Sequence, residues 1–570
     1  MKGIGVSNGI GIGKVYIYTE PKISVVRYNI DDTTTEINRF KEAIEVATAD
    51  IDKLYIESIS TIGSKDAEVF IAHKLMLNDP ELIQSVIDKI NTEHINSEYA
   101  LREEIEYYLS MFNSINDDYL KARIIDLKDI SNRLFKVLLE IKENNFIEPD
   151  EKFVLVANDL TPSDTARINK KNIVGILTEA GGKTSHTSIF ARTLGIPAVV
   201  GMKGITLRVN KDDQIIIDGE SGLIIINPTI KELEQYKNLQ LKANHRSNEL
   251  QSMKFEETKS KDGYKVKLVG NIGSLEDVEK VLDNGGEGVG LFRTEFLFMD
   301  RVKLPTEEEQ FEAYKAVVEK LGNKSVIIRT LDVGGDKDIP YLNLPKEMNP
   351  FLGFRAIRIC LDRIDIFKMQ LRAILRASAF GNAKIMFPMI SNINEIRECK
   401  RLIEEIKNEL RMGKKLFNQE IEVGIMVEIP AVAINSRAFA KEVDFFSIGT
   451  NDLIQYTLAV DRGNQDIAYL YSQYDPSVLS LIKMTIENGH LEGIKVGMCG
   501  ESASDKKLLP VFLGMGLDEF SMSASSILRA RYQLKNTSKN EICEKLNDLL
   551  KLPTASDVEK FIDENILNNL

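Results

Sequence analysis

Residues 423–452, VGIMVEIPAVAINSRAFAKEVDFFSIGTND, read as one unit of a larger pattern. The apolar runs at 423–427 and 444–448 have the length and residue content of buried strands, and a helix-compatible segment lies between them. Each run ends in reactive side chains: Glu428 after the first, Asn451 and Asp452 after the second. Working outward, the unit recurs as VKLVG (266–270), GVGLF (288–292), VIIR (326–329), IMFPMI (385–390), VGIMV (423–427), DFFSI (444–448), VGM (496–498) and LDEF (517–520). Eight strands alternating with helical patterns over 259–570 predict a C-terminal (β/α)8 barrel of the TIM type. The interval between the third and fourth runs has room for extra helices.

The N-terminal half has a different texture. Short strand runs at 153–157, 173–177, 198–201 and 215–218 follow a Gly-rich, β-branched opening, GIGVSNGIGIGKVYIY, that holds one or two strands. Residues 1–30 and 144–229 thus make one α/β domain, interrupted by an all-helical insert over 31–143. That insert carries a single glycine, Gly63, and a single proline, Pro80. Ile37, Phe40 and Ile44, then Leu134, Val137, Leu138 and Ile141, follow the 3.6-residue period of packed helices. Residues 230–258 are polar, without glycine or proline, and read as a linker helix. The fold class is a multidomain α/β protein with a helical insert, a linker helix and a barrel.

A chain of 570 residues exceeds what one core supports, and 43% hydrophobic with 28% charged residues excludes a disordered or fibrous class. No apolar stretch reaches membrane-spanning length, and the first residues lack the apolar run of a signal peptide, so a cytoplasmic protein without membrane contact is expected. Cys360, Cys399, Cys499 and Cys543 are widely spaced, which indicates neither a disulfide framework nor a structural zinc site. A net charge of −13 argues against a general nucleic-acid surface. Residues 31–143 hold 24 acids and 13 bases, −11 of that total. They form either solvated helix faces or a docking surface for a basic partner.

Chemistry in such a barrel sits where strands end. Those positions hold Arg293-Thr294-Glu295, then Arg329-Thr330-Leu331-Asp332 followed by Asp336 and Lys337, then Glu428, then Thr450-Asn451-Asp452, then Cys499-Gly500-Glu501. The carboxylates Glu428 and Asp452 suit Mg²⁺ or Mn²⁺, which take hard oxygen ligands and leave positions for a substrate's oxygens. Arg293, Arg329 and Arg462 offer planar donors for phosphate and carboxylate, implying a small, doubly anionic, metal-chelating substrate. Cys499 is either a buried small hydrophobe or a proton carrier beside the metal. In the α/β domain, GGKTSHTS (181–188) enters a helix. On spacing alone it is either a capped helix with a satisfied histidine or an anion cradle in which neutral His186 takes up a phosphoryl group.

Six segments carry a resemblance: GGKTSHTSIFARTLGIPAVVG, GLFRTEFLFMDR, IIRTLDVGGDK, MVEIPA, IGTNDLIQYTLAVDRGN and GMCGE. They are similar to the signature segments of the Enzyme I family, the phosphoenolpyruvate-protein phosphotransferases of the bacterial sugar phosphotransferase system, and the likeness runs the length of the chain. The resemblance implies that His186 accepts the phosphoryl group of phosphoenolpyruvate and passes it to a histidine of the carrier protein HPr, releasing pyruvate. It assigns substrate binding to Arg293, Arg329, Asn451, Asp452 and Arg462, Mg²⁺ to Glu428 and Asp452, and protonation of the product enolate to Cys499. Thr165, Lys183, Lys337 and Arg355 fall in supporting positions, Thr165 beside the histidine ring. It further implies that the insert docks HPr, that the barrel forms a homodimer, and that the α/β domain swings about the linker. This chain departs from the family pattern at Asn8, where proline is usual, at Lys183, where arginine is usual, and at Ser502 and Ser504. Two other readings compete: a metal-dependent barrel lyase or aldolase acting on a 2-oxo acid, which leaves His186 idle, and a regulatory scaffold without chemistry.

Overall fold

The computed structural model describes the chain apart from residues 20–22, 63, 114–117, 142–150, 168–170, 184, 300, 336, 338 and 570. Thr184, Asp336 and the junction expected at 143/144 lie outside the described residues. The chain divides into two compact units, Met1–Arg246 and Ser247–Leu570.

The first unit opens with strands β1 (Ile4–Ser7) and β2 (Ile10–Tyr18), and its described residues then form the helices α1 (Thr33–Ile62), α2 (Ser64–Leu77), α3 (Pro80–Glu93), α4 (Ser97–Asn113) and α5 (Asp118–Leu138). The helices close on a core that includes Phe40, Ile51, Phe70, Val86, Ile90 and Leu134. Pro80 does not interrupt this bundle. It occupies the first turn of α3, where no N–H is needed, behind an Asp79 cap that accepts from Glu81 N–H.

The chain then returns to the sheet with β3 (Phe153–Ala157), α6 (Pro162–Arg167), β4 (Ile173–Thr178), α7 (His186–Leu194), β5 (Ala198–Val200), β6 (Gln214–Asp218) and β7 (Leu223–Ile226). Strand order is β1-β5-β4-β3-β2-β6-β7. The centre, β5 to β2, is parallel, β1 and β6 pair antiparallel to its two edges, and β7 pairs antiparallel to β6. Strand β7 was not expected from the sequence. Its LIII is a hairpin partner of β6, too short to stand out from the run before it. Helix α8 (Ile230–Ser252) follows, shorter than the 230–258 linker read from composition.

The second unit is a closed barrel of eight parallel strands: β8 (Lys267–Ile272), β9 (Gly288–Arg293), β10 (Ser325–Arg329), β11 (Ala383–Phe387), β12 (Val423–Val427), β13 (Phe445–Ile448), β14 (Lys495–Met498) and β15 (Glu519–Met522). All eight expected runs are strands, most with bounds shifted by one to three residues, and two of the shifts have a clear cause. β11 stops at Phe387, short of the expected 390, because Pro388 supplies no ladder N–H and Met389 turns to φ +55°. β15 starts at Glu519, because Leu517 still closes the helix before it through a bond to the Phe512 carbonyl. The long third interval holds the helices Ile357–Asp362 and Ile364–Ala377. Leu291, Ile327, Met386, Met426, Phe445 and Cys499 cluster inside the barrel.

Candidate functional site

Register sets the rim. Val427 pairs with Ile448 and Ile448 with Met498, so Glu428, Gly449 and Cys499, each one residue further on, stand at one level. Arg329 pairs with Arg293 on the other side. Arg293, Arg329, Lys337, Arg355, Glu428, Asn451, Asp452, Arg462 and Cys499 all line one cavity of about 670 Å³ at this C-terminal face.

Its cations are held by buried acids. Arg329 donates from Nη2 to Glu295 Oε1 at 2.7 Å and places Nη1 2.8 Å from Asp332 Oδ2. Lys337 Nζ donates to the same Glu295 oxygen at 2.9 Å and lies 3.5 Å from Asp332 Oδ2. Arg355 bridges Asp332 Oδ1 at 3.1 Å and Asp452 Oδ1 at 3.4 Å, and its Nη1 also donates to the Tyr456 hydroxyl. Burial alone would raise the carboxyls of Glu295 and Asp332, but these cations outweigh it and hold both below their usual range. Arg293, more exposed, lies over the Phe296 ring. Glu295 and Asp332 were visible as acids at strand ends, but their service to the arginines is a through-space relation that no spacing reveals.

Glu428 behaves oppositely. Burial, then the charges of Asp452 and Asp332, push its carboxyl up to about 8. The left-handed backbone at Met389 aims an N–H at Glu428 Oε1 at 2.5 Å. Two crowded carboxylates in a low-dielectric wall form a hard-oxygen donor set that a divalent cation would relieve. Among the described residues no group of three or more His, Cys, Asp or Glu side chains could hold a metal ion. The protein thus offers two carboxylates and leaves further positions to a ligand's oxygens. Fit to an anionic ligand is indicated by Arg329 Nε and Arg355 Nε, both buried without a hydrogen-bond partner. Asn451 exchanges hydrogen bonds with Glu501 and takes one on its carbonyl from Tyr471. Arg462 donates its backbone N–H to Gln455. Cys499 is 5% exposed, and burial pushes its thiol up to about 11, so sulfur keeps its proton at neutral pH.

His186 is the first residue of α7. Ser185 caps that helix, its Oγ accepting from Ser188 N–H, while Ser188 Oγ donates to the Gly182 carbonyl at 2.6 Å. Gly181, at φ +101°, permits the turn before it. His186 Nε2 lies 3.7 Å from Asp126 Oδ1 on α5, and the same oxygen is 3.2 Å from Nε2 of buried His73. His73 and Asp126 went unnoticed in the sequence, because only the packing of α2 and α5 brings them together. Thr165 on α6 donates its hydroxyl to the Pro162 carbonyl at 2.9 Å. Lys183 is exposed, and its carbonyl accepts from Arg192.

Residues 247–539 match the family model for the PEP-binding domain of PEP-utilising enzymes, residues 2–123 that for their N-terminal domain, and residues 149–222 that for their mobile domain. The chain is therefore similar to PEP-utilising enzymes in all three of its parts. Three relatives, each named phosphoenolpyruvate-protein phosphotransferase, cover 99% of this chain and 99% of their own length: those of Bacillus subtilis (strain 168), 49% identical, Listeria innocua, 48%, and Staphylococcus aureus, 47%. The chain belongs to the phosphoenolpyruvate-protein phosphotransferase family.

Proposed function

We propose that this enzyme takes the phosphoryl group of phosphoenolpyruvate onto His186 and hands it to a histidine of the phosphocarrier HPr, releasing pyruvate at the first step of the bacterial sugar phosphotransferase system. One observation carries the reading: five cationic side chains, two crowded carboxylates and a protonated thiol converge on a single barrel-end cavity. Arg293, Arg329 and Arg462 bind phosphate and carboxylate oxygens, with Asn451 completing the set. Lys337 and Arg355 hold Glu295 and Asp332, the acids that orient Arg329. Glu428 and Asp452 would hold Mg²⁺, or Mn²⁺, which when bound neutralises charge on the transferring phosphoryl group. His186 attacks phosphorus, and the Cys499 thiol protonates the enolate left behind. Thr165 and Lys183 support the histidine segment.

The acidic helical insert, 31–143, docks HPr, the barrel, 259–570, forms a homodimer, and the α/β domain turns about 230–258 so that His186 serves both substrates. No described helix is long and apolar enough to cross a membrane, and we place the enzyme in the cytoplasm.

Incubation with ³²P-labelled phosphoenolpyruvate and Mg²⁺ tests the reading. An acid-labile, base-stable label on the protein is expected, whereas carbon–carbon cleavage without labelling would move the assignment to a barrel lyase. His186→Ala should abolish labelling and leave calorimetric phosphoenolpyruvate binding intact. Loss of both together counts against the division of labour.

A further inference from the structure

Asn271, near the end of β8, was not among the strand-end residues that suggested chemistry, yet it lines the same cavity as Cys499. Its Nδ2 donates to the Cys499 carbonyl at 3.1 Å, and the Ser521 hydroxyl on β15 donates to Asn271 Oδ1 at 2.6 Å. The second bond orients the first. With Oδ1 occupied by a hydroxyl proton, the amide presents its N–H group to Cys499. Ser521 is 2% exposed, and β9 makes room for it with Gly290, where a Cβ would lie 2.6 Å from Ser521 Oγ. From the opposite strand, Cys499 N–H donates to the Ile448 carbonyl at 3.0 Å, and the thiol approaches the same oxygen at 3.8 Å. The peptide carrying the thiol is thus clamped from both flanks, by β13 on one side and by Ser521 through Asn271 on the other. Any buried carbonyl needs a donor, but a donor that is itself fixed by Ser521 and lines the cavity also fixes the direction of the peptide that carries the thiol.

We propose that Asn271, oriented by Ser521, is a positioning residue that aims the Cys499 thiol at one face of the enolate. The inference rests on the reading of Cys499 as the general acid. In that step the S–H bond breaks with its electron pair left on sulfur. The enolate C=C pair forms the new C–H bond at the methylene carbon as the oxygen becomes the ketone, and the thiolate regains a proton from water. A thiol aimed at one side gives a methyl group of one configuration. Protonation by bulk water gives a mixture.

The test uses the full chain, phosphoenolpyruvate carrying deuterium at one C3 position, and tritiated water, with pyruvate trapped at once by reduction to lactate so that its chiral methyl can be read. The parent enzyme should give one configuration. Asn271→Ala and Asn271→Leu, neither of which can donate to the Cys499 carbonyl, should still label His186 from phosphoenolpyruvate. Pyruvate formation should slow about tenfold or more, and the methyl configuration should be scrambled. Ser521→Ala, which frees the amide to flip, should scramble partially, and it carries the test if the Asn271 variants do not fold. A single configuration from all three variants, whatever their melting temperature, overturns the proposal. Cys499→Ala separates the two layers. Scrambling there with none in the Asn271 and Ser521 variants removes only Asn271's role, and a single configuration from Cys499→Ala removes the general-acid reading itself.

Discussion

Arg355 is 2% exposed and is the sole bridge between Asp332 and Asp452 among the described ion pairs. Its planar guanidinium reaches Asp332 from Nη2 and Asp452 from Nη1, a span wider than a single ammonium nitrogen covers. Arg355→Met removes one cation from a buried cluster and is expected to cost about 3–5 kcal/mol in urea unfolding, with Arg355→Lys recovering part of it. A Met variant within about 1 kcal/mol of the parent would mean that Arg329 and Lys337 neutralise Asp332 unaided. The residue also marks the edge of what the sequence reveals. Arg293, Arg329, Glu428 and Asp452 announce themselves by ending strands, a relation of neighbours in sequence. Arg355 sits before the helix Ile357–Asp362, at no strand end, and only resemblance singled it out. Asn271 does stand near a strand end, but an uncharged amide carries no chemical signal until its partners are known.

Among the elements, β14 and β15 are joined below the barrel by Asp518. It accepts from Val496 N–H at 2.9 Å and lies 2.8 Å from His490 Nε2 and 3.2 Å from Lys495 Nζ. Burial opposes the charge on Asp518, but the His490 and Val496 bonds prevail and hold its carboxyl below the ordinary 3.8. A depressed carboxyl contributes stability that is present above the unfolded value and lost as pH falls through the folded one. Asp518→Asn should therefore be less stable than the parent by about 1–3 kcal/mol near pH 6, and that gap should close in unfolding measurements below about pH 4. A gap constant with pH would assign the effect to shape alone. At α7, Ser185→Ala removes the cap and should cost about 1 kcal/mol, with faster amide exchange confined to the first turn around His186. The strands themselves were readable because parallel barrel strands are apolar throughout. Where β11 and β15 begin and end depended on Pro388 and on the closure of a preceding helix.

For the whole molecule, charge is divided unevenly, with the segment 31–143 carrying −11 of −13. If it steers a basic carrier, association measured by stopped flow should slow steeply as the Debye length falls from about 10 to about 3 Å, and salt-independent association would sink that role. The division into sheet, insert and barrel followed from changes in texture along the chain, whereas the pairing of strands across the insert could not be read from sequence order. That pairing bears on biosynthesis. Strand β2 lies between β3 and β6, so the first strands to leave the ribosome wait for partners encoded more than a hundred residues later. At ordinary translation speed the wait is on the order of ten seconds, long enough for the intervening helices to fold first. Nascent chains arrested before β3 should show the helical core resistant to protease while residues 1–18 remain cleavable, and protection of those residues should begin only once β6 has emerged. The helices encoded between β2 and β3 would then act as a tether, keeping an early, sticky β-ribbon close to the place where its partners will arrive.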